Sequence, residues 1–153
     1  MKKLKIAIIS VTLLSTITLG IGTLAPVTPV EARLTDIECL ARNIYHEARG
    51  EPLEGQLAVA QVTLNRVQSA KYQNTVCGVV YAHRQFSWTN SGTKKIKNAK
   101  AWRAALDVSR AVLTQSVALP KFAAMHFHTR QVRPTWAKNK QIVAVIGNHI
   151  FYS

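Results

Sequence analysis

Apolar side chains return every three or four positions through the first folded-looking stretch, at Ile37, Leu40 with Ala41, Ile44 and Ala48. That period lines them up on one stripe of a helix. Thr35-Asp36-Ile37-Glu38 has the form of a capping box, with Thr35 as N-cap and Glu38 reaching back. Gly50 is the expected stop just past the last turn. A second helix is predicted at once: Pro52 suits its first position, Glu51 precedes it and Glu54 falls in its first turn. Leu53, Leu57, Ala60, Leu64 and Val67 keep the helical period, and Val59 and Val62 widen the apolar face, so this helix should be central. The stretch 69–92 reads as connecting structure, with a short helix or strand at Val76–Tyr81 and a turn at Asn90-Ser91-Gly92. A further helix fits Ala99–Gln115, with Trp102, Ala105, Ser109 and Val112 on one side, and Pro120 closes that region.

The period then changes. Ala123 to His128 alternate as a strand would. The run "IVAVIGNHIFY" is two β-rich segments around Gly147-Asn148, a hairpin signal. Helices first and a small antiparallel sheet last make the class α+β.

Composition changes the picture at the N-terminus. Lys2, Lys3 and Lys5 precede a long apolar run that relaxes into "PVTPVEAR". This is the layout of a secretory leader with cleavage after Ala32, or of an N-terminal membrane anchor. Residues 1–32 are assigned to that leader or anchor, and 33–153 to one catalytic domain, which lies outside the cytoplasm either way. The two cysteines, Cys39 and Cys77, both fall in the second part, and an even count in an exported chain suggests one disulfide. Loss of three lysines and one glutamate with the leader lowers the net charge from +13 to +11. The charge is uneven. Residues 33–92 carry six basic and five acidic side chains, whereas residues 93–153 carry eleven basic ones and only Asp107. So basic a face wants a polyanion. For an exported chain an anionic cell envelope fits better than nucleic acid, and no obligate protein partner is evident.

The candidate chemistry lies in "IYHEARGE". Glu47 falls in the last turn of the first helix, where unpaired carbonyls disfavour an anion and raise the carboxyl's proton affinity. Glu51 stands at the start of the next helix, where an anion is welcome, and is expected to be structural. Arg49 is expected to turn toward Glu51 or Glu54. One protonated glutamate suits cleavage of a glycosidic bond, which needs a proton on the leaving oxygen. A second carboxylate is hard to find among the few acids. A route that dispenses with it has the C6 hydroxyl of muramic acid attack C1 to give a 1,6-anhydro product.

The segments "ARNIYHEARGEPLEGQLAVAQVTLNRV", "NTVCGVVY", "QFSW", "MHFH", "PTWA" and "IGNHIFY" resemble the SleB/CwlJ-type cell-wall hydrolases, in order, from about Ile37 to Tyr152. The resemblance implies a lysozyme-like catalytic domain of the lytic-transglycosylase kind. It would act on peptidoglycan glycan strands between N-acetylmuramic acid and N-acetylglucosamine without a cofactor or metal. It also implies that the first glutamate of "EARGE", Glu47, is catalytic.

Gln85, Ser87 and Trp88 are candidate substrate-binding residues in a polar loop, the ring for stacking on sugars and the polar groups for sugar hydroxyls and N-acetyl groups. His126 and His128, two apart on a strand, share one face. Trp136, His149 and Tyr152 complete the set, while Phe127 and Phe151 are expected to pack. A rival assigns His126, His128 and His149 to zinc, giving an N-acetylmuramoyl-L-alanine amidase. Another rival is a non-catalytic basic wall-binding module.

Overall fold

The computed structural model describes residues 29–90 and 94–153. The expected leader lies almost wholly outside the described residues. Among the described residues no helix is long and apolar enough to cross a membrane.

Among the described residues four α-helices precede three strands. The first, α1, spans Pro29–Ala48. It starts upstream of the expected cap, so Thr35 lies inside the helix, and Glu38 pairs with Arg42 one turn on (2.9 Å) instead of reaching back. Asp36 accepts the Cys77 backbone N–H (3.3 Å). The second helix, α2, spans Leu53–Val67 with Pro52 at its N-cap rather than its first position. Its apolar face buries Leu57, Ala58, Val59, Ala60 and Val62, as a central helix should, while Leu53 stays exposed. Asn43 of α1 donates to the Thr63 hydroxyl of α2 (3.1 Å), a buried polar link that fixes how the two helices register.

The Val76–Tyr81 segment is helical (α3), capped by the Thr75 hydroxyl on the Gly78 N–H. The Cys39–Cys77 disulfide joins α3 to α1. Helix α4 runs Ala99–Leu113, ending two residues before the expected Gln115, and Asn98 caps it through the Ala101 N–H. Ala105, Ser109 and Val112 face inward as their spacing requires.

The sheet is antiparallel with order β1-β3-β2. Strand β1 is His126–Thr129, β2 is Ile142–Ile146 and β3 is His149–Tyr152. Gly147, at φ +55°, makes the β2–β3 turn, a conformation that favours glycine. His126 pairs with Tyr152, Phe127 with Phe151 and Thr129 with His149. Because strand side chains alternate, Phe127, His149 and Phe151 face the helices, while His126, His128, Ile150 and Tyr152 face away. One core cluster lies among the helices, and a smaller one joins Ala48, Val59, Val62 and Phe151 between α1, α2 and the sheet. The C-terminal end of α1 is thereby held against the sheet.

Candidate active site

Glu47 sits in the final turn of α1, half-buried. Burial raises its carboxyl above the ordinary glutamate value, and the charges of Arg66 and Lys94 pull the other way. The α1 carbonyl end adds to the upward push. Among the described residues no group hydrogen-bonds this carboxyl. Its proton affinity is thus raised, with two cations near enough to ease its ionised form.

Arg66 was not among the expected site residues. Its Nε donates to the Met125 carbonyl (2.8 Å), beside β1, and its guanidinium lies over the rings of Phe86 (5.2 Å) and Tyr72 (5.5 Å). The neighbouring Asn65 amide donates to the carbonyls of Phe122 and Ala124 (3.0 and 2.9 Å). The sequence signal was an arginine one turn after Val62 on the buried face of α2, where a surface charge has no place.

A groove of about 590 Å³ at this end of α1 is lined by Tyr45, His46, Arg49, Lys94, Lys95, Lys97 and Asn98. Glu47 is not itself in that lining; its helix neighbours Tyr45, His46 and Arg49 are. The Tyr45 hydroxyl accepts the backbone N–H groups of Lys97 (3.1 Å) and Asn98 (3.0 Å), which ties the basic segment to α1. Arg49 does not reach Glu51 or Glu54. It lies over the Tyr45 ring (5.2 Å) and donates to the Tyr45 carbonyl (3.4 Å).

Glu51 is structural, but through the sheet. It accepts the Asn148 N–H in the hairpin turn (2.8 Å) and lies 3.9 Å from His149 Nδ1, too far for a hydrogen bond. Burial keeps His149 toward its neutral form against the pull of Glu51.

The remaining candidates divide into three groups. His126, His128, Trp136 and Tyr152 come together on the outer face of the sheet. Trp136 is 5.5 Å from His126 and 5.6 Å from His128, and His128 stacks on Tyr152 with a 2.8 Å bond from ring nitrogen to hydroxyl. Gln85 and Ser87 stay on the loop after α3, half-buried and exposed. Trp88 and His149 depart from a sugar-contacting role. Trp88 is 3% exposed, with His46 stacked on its ring at 4.5 Å, so it supports His46. His149 is 1% exposed and edge-on to Phe127, on the core side of the sheet. That placement also separates it from His126 and His128, so the three rings cannot converge on one zinc ion. Phe127 and Phe151 pack, as expected.

The family model for Cell Wall Hydrolase matches residues 50–152. The chain belongs to the cell wall hydrolase family. Among curated relatives of this family member, the spore cortex-lytic enzyme of Oceanobacillus iheyensis is 38% identical over 76% of this chain and 41% of its own length. That of Bacillus cereus is 37% identical over 76% and 43%. The chain therefore spans about two-fifths of the length of these relatives. Two solved structures share the fold. The catalytic domain of the Bacillus cereus SleB protein matches at TM-score 0.61 and 34% identity, over 78% of this chain and 91% of that one. The catalytic domain of the germination-specific lytic transglycosylase SleB from Bacillus anthracis matches at TM-score 0.62 and 35% identity, over 77% and 93%. Helices followed by a small antiparallel sheet thus form the lysozyme-like α+β fold of the SleB/CwlJ type. Glu47 lies just ahead of the family-model match.

Proposed function

We propose that the protein is a peptidoglycan-cleaving enzyme acting outside the cytoplasm, which breaks the bond between N-acetylmuramic acid and N-acetylglucosamine as a lytic transglycosylase. The supporting observation is Glu47: a half-buried carboxyl of raised proton affinity, with no hydrogen-bond partner among the described residues, acted on by Lys94 of the basic groove. The relationship to catalytic domains at 34–35% identity supports the same reading.

Glu47 gives its proton to the glycosidic oxygen as the C1–O bond breaks. Positive charge develops at C1, and the Glu47 carboxylate is left near Arg66 and Lys94. The C6 hydroxyl of the same muramic acid then attacks C1, and its proton passes to Glu47. The acid is restored, no water is consumed and the product is a 1,6-anhydro end. Burial favours the protonated form before the step, and the two cations limit the penalty of losing the proton during the step. The basic groove would hold anionic wall strands, the partner class this surface suits. Residues 1–32 would deliver the domain across the membrane, as a removed leader or a retained anchor.

Mass spectrometry of digested peptidoglycan tests this. Wild-type protein should release anhydro-muropeptides, insensitive to exhaustive EDTA, and Glu47→Gln should lower the rate by at least about a hundredfold while still sedimenting with wall. Reducing-end muramic acid would make it a muramidase. Freed stem peptides lost on chelation would make it the amidase, and full activity in Glu47→Gln would remove the assignment.

A further inference from the structure

A second concave site lies on the far side of the sheet from the helical core. It has a volume of about 490 Å³, and its walls include Val132, Ala137 and Ile150 together with Arg130, Arg133 and Lys138. Val132 is 51% exposed, an apolar side chain with no cover. None of the three cations makes an ion pair among the described residues. The chain has no acidic residue after Asp107, so nothing nearby in sequence neutralises them. The groove thus combines apolar side chains with cations that have no ion-pair partner among the described residues.

The groove is related to the proposed catalytic centre through Arg66 and His126. Arg66 acts electrostatically on both Glu47 and His126. His126 contacts Trp136, which adjoins Ala137 in the groove wall, and His128 and Tyr152 line the groove directly.

We propose that this groove binds the carboxylate-bearing stem peptide carried by the muramic acid of the strand being cut. The proposal rests on the wall-glycan reading above and extends it to specificity. Two features select this occupant. A phosphate polymer would use the three cations but gain nothing from Val132, Ala137 and Ile150. A bare glycan would offer only its lactyl carboxylates to the cations and no methyl side chains to Val132, Ala137 and Ile150. A short peptide with methyl side chains and a terminal carboxylate uses both, and an arginine can grip a carboxylate through two parallel N–H donors. A volume near 490 Å³ is in the range that seats a small ligand.

The test uses the full chain and two variants, Arg130→Gln/Arg133→Gln and Ala137→Glu, each checked for a wild-type circular dichroism spectrum. In calorimetric titration with free stem tetrapeptide, both variants should bind about tenfold more weakly than wild type, and inorganic phosphate should compete only weakly. In cleavage assays, KM for strands bearing stem peptides should rise about tenfold in both variants with kcat retained. KM for strands stripped of peptide should not change. Failure to bind the peptide, phosphate binding as tight as peptide binding, or an equal KM rise on stripped strands would each overturn the proposal. Should the protein cleave neither substrate, the reaction assigned to Glu47 fails, and the titration alone still decides the groove.

Discussion

Replacing Gly147 by alanine probes the contact that ties the hairpin to the α1–α2 corner. A Cβ on Gly147 would fall on Glu51 Oε2, with Glu51 Cδ at 3.3 Å and Pro52 Cδ at 3.5 Å beyond it. The residue also has φ +55°, where a side chain adds about 1–2 kcal/mol of strain. Glu51 cannot simply swing aside. Its carboxylate is held by the Asn148 N–H at 2.8 Å. Accommodating the methyl therefore breaks a charge-assisted hydrogen bond, about 1.5–3 kcal/mol. Together the terms predict that Gly147→Ala is destabilising by about 3–4 kcal/mol, a fall in Tm on the order of 10 °C for a domain of this size.

Urea unfolding of four proteins separates the two terms: wild type, Gly147→Ala, Glu51→Ala and the double variant. With Glu51 truncated the clash is gone and only the backbone term remains, so the coupling energy should be about 1.5–3 kcal/mol. Gly50→Ala is the control, since a Cβ there meets nothing within 4 Å and the residue is not among those at positive φ. It should change stability by less than about 1 kcal/mol. A cost below about 1 kcal/mol for Gly147→Ala, or an equal cost with and without the Glu51 carboxylate, would refute the claim that Glu51 braces the hairpin.

Two further expectations concern stability. Reducing the Cys39–Cys77 bridge opens a loop of 38 residues, worth about 4 kcal/mol in the loop-entropy account. The urea midpoint should drop sharply with dithiothreitol and not at all in Cys39→Ser/Cys77→Ser, and an unmoved wild-type midpoint would show that the bridge is not formed. His126 is pushed down to about 4 by burial, with Lys140 and Arg66 adding to the effect, and burial also lowers His46 and His149. The unfolded chain then binds more protons than the folded one between about pH 6.5 and 4, so stability present above 6.5 is lost as pH falls through that window. Glu47, raised by burial, works in the opposite sense, its contribution fading as pH rises. Tm should fall from pH 7 to pH 4, less steeply in His126→Gln, and a flat profile would count against the buried neutral histidines.

Periodicity and turn chemistry carried most of the fold. The α2 stripe, the Ala105–Ser109–Val112 face of α4 and the Gly147 hairpin all formed where their local signals put them, because each signal is a short-range steric or burial preference. The start of α1 was misplaced because a capping box is permissive, and a helix can run through Thr35 when the residues before it allow. The site was legible less evenly. Glu47 stands out because its helix end sets its field. The facing of Trp88 and His149 was not legible, because an aromatic in a polar loop and a histidine on a strand do not reveal which way they point. The facing of His149 follows only from its pairing with Thr129, and that of Trp88 from its stacking under His46. Arg66 was overlooked because its partners, the Met125 carbonyl and the Phe86 ring, are far away in sequence.

Two carboxylates four residues apart end in different environments because the chain turns a corner between them. Glu51 lies past the corner, where Gly55 and Gly147 leave just enough space for it and the Asn148 N–H occupies Oε2. Nothing the size of a sugar can approach it without displacing the hairpin. Glu47 lies before the corner, half-buried, unbonded among the described residues, and biased toward its protonated form. The same corner explains why stability and chemistry are coupled here. Glu51 holds β3 against the helices, and the Met125 carbonyl at the head of β1 anchors Arg66, the cation that tempers Glu47. β1 in turn pairs along its whole length with β3. Loosening the Glu51 brace should therefore move Arg66 relative to Glu47. The Gly147→Ala protein, assayed below its melting temperature, is expected to lose kcat more than it raises KM. Unchanged kcat in a folded Gly147→Ala protein would mean that the sheet can shift without carrying Arg66 along, and that the brace serves the fold alone.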